Sequence, residues 1–126
     1  MSGAPDPLSP DKLALRKSQA GMRFIAQMHL YNQENPERLR QFIADSYHDD
    51  LLAVQSVEQR LDELQSQINA WGKLRVKQVL AANEHHVIVI MEAQNTPGFY
   101  YTEFKVEPDY PHKITFYLFQ PMQEVT

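Results

Sequence analysis

Apolar residues recur at helical spacing through the first half of the chain and alternate through the second, and the period changes at Gly72-Lys73. Ser9-Pro10-Asp11 offers a capping side chain, a proline at the first helical position and an acid in the first turn. A first helix is predicted from there to about Gln33, with Leu13, Ala20, Phe24, Met28 and Tyr31 as its stripe and Leu15, Met22 and Ile25 widening it. Gly21 interrupts this helix, at a cost in propensity or to let another backbone approach. Asn35-Pro36-Glu37 repeats the start signal for a second helix carrying Leu39, Phe42 and Ile43. It runs into Asp45-Ser46-Tyr47-His48-Asp49-Asp50, where residues that favour caps and turns predict a bend or break. Ser56 and Gln59 are spaced as a capping box for a third helix, whose Val57, Leu61, Leu64, Ile68 and Trp71 share a face up to Gly72.

Turn residues at Asn83-Glu84, Asn95-Thr96-Pro97-Gly98 and Pro108-Asp109-Tyr110-Pro111 divide the rest into strands at about Leu74 to Ala81, Val87 to Ala93, Phe99 to Glu107 and Ile114 to Gln120. Connections this short favour an antiparallel meander, since parallel crossovers need a dozen or more residues. The expected fold is α+β, with three N-terminal helices packed on a curved four-stranded antiparallel sheet. It forms one domain over 9–126 after a flexible tail at 1–8. In the third strand Tyr100, Thr102, Phe104 and Val106 are assigned to the interior and Tyr101 to the outside. Strict alternation in the last strand puts Ile114, Phe116 and Leu118 inside and Thr115, Tyr117 and Phe119 outside. The outer face is then rich in aromatic residues, and a homodimer through Tyr101, Thr115, Tyr117 and Phe119, or a docked partner domain, is the expected cover.

Composition narrows the chemistry. The 126 residues are 43% hydrophobic with a formal net charge of -4, and Lys and Arg are dispersed, so neither nucleic acid nor an anionic membrane is an expected partner. With no cysteine there is no disulfide, thiol nucleophile or thiolate metal site. The N-terminal segment lacks the features of a leader, and no apolar run approaches the roughly 20 residues of a membrane span, so a cytoplasmic location is expected. A phosphate-binding glycine loop, a serine-nucleophile motif and a dinucleotide fingerprint are missing from the sequence, and no cofactor is expected. His85 and His86 would point to opposite faces of a strand, so no metal site is expected from them.

Aromatic and aliphatic side chains on the helices (Phe24, Met28, Tyr31, Phe42, Trp71) and strands (Tyr100, Phe104, Phe116) suit the wall of an apolar ligand pocket, or plain core at the same spacing. Asp45, Tyr47 and His48 combine a carboxylate, a phenol and an imidazole fit for acid/base work, yet the same residues cap and turn chains. His112 is placed to fix its turn by a hydrogen bond, and His29 is expected to be partly exposed.

The three helices, the Trp71-Gly72 exit into a meander and the ending Phe104-Lys105-Val106-Glu107-Pro108-Asp109-Tyr110-Pro111-His112-Lys113-Ile114 together resemble the nuclear-transport-factor-2-like superfamily, a cystatin-like α+β cone. The ending is similar to that of an accessory module beside bacterial beta-lactamase-type serine hydrolases and peptidases, whose strand closes with an E-P-x-x-P-H-[RK]-I turn. The likeness covers about Phe24 to Pro121. It implies a module without assigned catalytic residues; the 126 residues include no hydrolase domain, which leaves open a stand-alone protein or an excised fragment. It also implies that Asp45, Tyr47 and His48 lie near the pocket mouth of the cone. The expectation is a non-catalytic small-ligand-binding or protein-interaction module, dimeric through its sheet. The alternative is a cofactor-independent lyase, isomerase or cyclase acting on a hydrophobic small molecule, with Asp45 or His48 as base and Tyr47 or Tyr31 as donor.

Overall fold

Among the described residues five helices form where three were expected. The computed structural model describes residues 10–122; the tail expected at 1–8 and the cap expected at Ser9 lie outside them. The helices are α1 (Pro10–Arg16), α2 (Gln19–Gln33), α3 (Pro36–Ser46), α4 (Asp49–Val54) and α5 (Val57–Trp71). The single first helix divides because Ser18 takes an extended backbone (φ -110°, ψ 138°) and caps α2, its Oγ accepting from Gly21 N at 2.9 Å. Ser18 Oγ in turn donates to Asn83 O at 2.6 Å, and Ala20 N donates to Glu84 O at 3.0 Å, fixing the new helix start to the first hairpin. The predicted break in the acidic stretch falls at Tyr47-His48, both extended, and α4 starts on the far side. Both predicted caps form: Asn35 caps α3 on Arg38 N, and Ser56 and Gln59 make a reciprocal capping box for α5.

The strands β1 (Leu74–Asn83), β2 (His86–Ala93), β3 (Phe99–Val106) and β4 (Ile114–Pro121) pair antiparallel in the order β1-β2-β3-β4, the expected meander. Helix α2 lies against β1, β2 and β3, α1 against α2 and β1, and α3 against α2 and α5. Phe24, Tyr31, Leu39, Ile43, Leu64, Val87, Val89, Met91 and Phe104 close into one buried core between the helices and one sheet face. Burying such side chains contributes about 2 kcal/mol each relative to exposure. Two bulges in β1, at Lys77 and at Leu80, break its register with β2 and bend the edge strand. There Asp11 of α1 accepts from Val79 N at 3.0 Å.

A third bulge corrects the reading of β4. Val106 pairs with Ile114 but Lys105 pairs with Phe116, so Thr115 is an extra residue and every later side chain changes face. Tyr117 now stands opposite Phe104, and Phe119 opposite Thr102, on the inner face. Their rings pack there, Tyr117 at 4.9 Å from Phe104 and Phe119 at 5.5 Å from Trp71. Phe116 and Leu118, expected inside, lie on the outer face beside Lys105 and Glu103. Tyr117 and Phe119 therefore leave the expected interface, and Phe116 leaves the expected pocket lining. Thr115 itself is exposed.

The end of α2 meets the start of β1 through one amide side chain. Asn32 Nδ2 donates to Leu74 O at 2.8 Å, and Leu74 N donates to Asn32 Oδ1 at 2.9 Å. Leucine at this position keeps the bulk and leaves both backbone groups of a buried residue without partners. Asn32→Leu is expected to lower unfolding free energy by about 2 kcal/mol in urea titration, whereas a neutral result would show that this junction does not hold the helix to the sheet.

Candidate functional site

Asp45, Tyr47 and His48 part company at the end of α3. Asp45 is exposed and accepts a hydrogen bond from Gln41 Nε2 at 2.9 Å, one helical turn back. His48 caps α4, its Nδ1 accepting from Asp50 N at 3.1 Å, while Nε2 stands 4.0 Å from Glu107 Oε1. Tyr47 alone turns inward, fully buried, and donates to Gln27 Oε1 at 2.6 Å. A base and a donor do not converge here on a common point, and the three residues serve a helix end, a helix start and the core.

Most of the expected pocket wall is packed core. Phe24, Met28, Tyr31, Tyr100 and Phe104 are buried, with Phe24 edge-on to Phe104 at 5.8 Å. Trp71 and Phe42 are partly buried against the same core, and Trp71 lies 5.1 Å from Tyr100. The inner face retains a cavity of about 20 Å³ lined by Tyr47, Arg60, Glu63, Leu64, Gln67 and Tyr117. Such a space admits about one water molecule and no drug-sized ligand.

The lining is polar. Burial pushes the Tyr47 phenol well above its ordinary range, with Arg60 and Gln27 pulling the other way. Burial also raises Tyr117 strongly, helped by Tyr47, Tyr31 and Glu63 and opposed by Gln27. Burial first, then Glu34 and Tyr100, raise Tyr31 as well. Arg60 closes one side: its guanidinium lies 5.1 Å over the Tyr47 ring and donates to Leu51 O at 2.8 Å and Gln55 O at 3.2 Å, at the end of α4. The sequence reading missed Gln27, Arg60 and Gln67. Gln27 sits within the stripe positions of α2 one residue before Met28, and a glutamine there was the available signal.

The outer sheet face is the second candidate. Ile88 and Ile90 of β2, Tyr101 of β3 and Phe116 and Leu118 of β4 lie across neighbouring strands. Tyr101 thus holds the outward place expected of it. Phe116 is 37% and Phe99 42% exposed. Within this apolar field, His86 Nε2 and Tyr101 OH meet the two oxygens of Glu103 at 2.6 and 2.9 Å. Burial alone would raise the Glu103 carboxyl, but Tyr101, His86 and Lys105 outweigh it and hold Glu103 below its ordinary range. The same contact, after burial, raises Tyr101.

The expected role of His112 is met in the β3–β4 turn, where its Nδ1 lies 3.1 Å from Glu107 O. Arg23 of α2 donates to Pro111 O at 2.6 Å and His112 O at 3.2 Å, and Glu107 Oε2 accepts from Lys113 N at 2.9 Å. His85 and His86 diverge: His85 stacks on His112 at 5.9 Å, and His86 joins Glu103. His29 is exposed on α2. No group of His, Asp and Glu suited to a metal ion occurs among the described residues, and no helix among them is long and apolar enough to cross a membrane. Neither protein families, nor curated proteins, nor solved structures give a match to the chain.

Proposed function

We propose that the chain is a non-catalytic interaction module of the nuclear-transport-factor-2-like type, which pairs with a second copy of itself through the outer face of its sheet. The observation that carries this reading is the apolar field of Ile88, Ile90, Tyr101, Phe116 and Leu118 on the side of the sheet opposite the core. Phe116 and Phe99 are exposed on this side, Ile88, Tyr101 and Leu118 are partly exposed and Ile90 is buried among them, and apolar exposure gathered on one face favours a partner. Opposite charges alternate beside it, Arg75 with Glu92 at 3.3 Å and Lys105 in the row next to Glu103, so an isologous contact of the face with itself brings no net charge together. The helical and sheet order of the chain, with helices on one face of a meander, supports the family-level part of the reading. The packed interior supports the non-catalytic part, since an acid/base enzyme needs ionisable groups meeting in a space that admits a substrate.

The test is sedimentation equilibrium of the wild type and of the Ile88→Glu, Phe116→Asp double variant, both substitutions lying on partly or largely exposed positions. The wild type is expected to be a dimer at micromolar concentration. The variant, with unchanged circular dichroism, is expected to associate about a hundredfold more weakly, as for loss of a central interface anchor. A wild type that stays monomeric at high concentration, or a variant that remains dimeric, would refute the outer face as the interface.

A further inference from the structure

The inner face carries polar atoms that the protein leaves without partners. Gln27 Nε2, Gln67 Oε1 and Tyr117 OH are buried and form no hydrogen bond among the described residues, and neither do Tyr31 OH and Thr102 Oγ1. Gln27 and Thr102 are fully buried residues, and an unpaired buried polar group costs about 1–3 kcal/mol. Most such groups in folded proteins are satisfied by protein or by ordered water. Two of these groups meet at one place. Gln67 and Tyr117 line the cavity of about 20 Å³, and Tyr47, which lines it too, holds Gln27 by its carbonyl oxygen and so leaves the Gln27 amide nitrogen to find another acceptor.

We infer that this cavity is a binding site for a small uncharged hydrogen-bonding molecule, held by Tyr117 and Gln67 with Gln27 as the adjoining donor, and that water is the molecule its size admits. The chemistry of the set is complementary to such a guest: the Gln67 oxygen accepts, the Gln27 nitrogen donates, and the Tyr117 hydroxyl does either. A water needs two to four polar partners and roughly 10–15 Å³ of accessible space, and both conditions are met. A charged guest is disfavoured by the surroundings. Arg60 and Glu63 line the cavity with opposite charges, and Arg60 Nη2 and Nε are engaged by Leu51 O and Gln55 O. The site is independent of the outer sheet face and stands whether or not the chain pairs through it.

The experiment combines a high-resolution crystal structure of the wild type with thermal unfolding of Tyr117→Phe and Gln67→Leu. The expected result is ordered density within hydrogen-bond distance of Tyr117 OH and Gln67 Oε1, and a fall in the unfolding midpoint of about 4 °C for each variant. Single spherical peaks identify water; connected density identifies a small neutral organic molecule of the same chemistry. A dry cavity, density for an ion, or a midpoint raised by either substitution would overturn the inference, because removing an atom that has no partner stabilises. Should Tyr117→Phe fail to fold, Gln67→Leu on the partly exposed α5 gives the same readout.

Discussion

Alanine in place of Gly21 is expected to lower the unfolding free energy by about 3 kcal/mol, although alanine is the better helix former by about 1 kcal/mol. A Cβ built on Gly21 would sit 2.1 Å from Leu15 O and 2.7 Å from Leu15 C. Those atoms are backbone and cannot rotate aside as a side chain does. Nor can α2 retreat, because Ser18 and Ala20 bind it to Asn83 O and Glu84 O of the first hairpin. The clash is therefore relieved only by separating α1 from α2, which uncovers Leu15 and Ala20 of the core. Urea titration of the variant checks this. A stability equal to or above wild type would show that α1 does not cross α2 at this distance.

Alkali is expected to destabilise the protein progressively as pH climbs past 10. The phenols of Tyr47 and Tyr117 are buried and held neutral far above their ordinary pKa of 10.0. The folded pKa being raised, the stabilisation is complete below pH 10, where neither state ionises, and is lost as pH climbs because the unfolded chain releases phenolic protons that the folded one retains. For these two groups the loss is about 3 kcal/mol at about pH 11. Tyr31 adds in the same direction. Phenolate absorbance recorded beside circular dichroism should rise in step with unfolding. A folded protein whose tyrosines all titrate near their ordinary value would contradict the buried placement of Tyr47 and Tyr117.

Much of this architecture is legible in the sequence because its signals are local. The Asn35 cap, the Ser56-Gln59 box, the Gly72 stop and the turn residues between strands each act within a few residues, and each lands where expected. What local pattern does not convey is a change of parity. Alternation through Ile114 to Gln120 is regular, and nothing in those residues announces that Thr115 is spare; the bulge shows only in the pairing with β3. One residue thereby moved Tyr117 and Phe119 from the outside to the core and Phe116 the other way. Ser18 was missed for a similar reason, as its capping role is fixed by Asn83 O, distant in sequence. Of the candidate site, Tyr47 is the member that enters the core, while Arg60 and Gln67 lie on α5 beside its apolar stripe of Leu61, Leu64 and Ile68, where polar side chains give no sign of facing inward.

The outer sheet face as the working surface is tested most directly by methyl NMR of the wild-type protein over a dilution series. The methyl signals of Ile88, Ile90 and Leu118 are predicted to shift together with concentration, while those of Ile43 and Leu64 in the core stay fixed. Concentration dependence confined to Met22 and Ile25 on the outside of α2, or no dependence at any methyl, would contradict it.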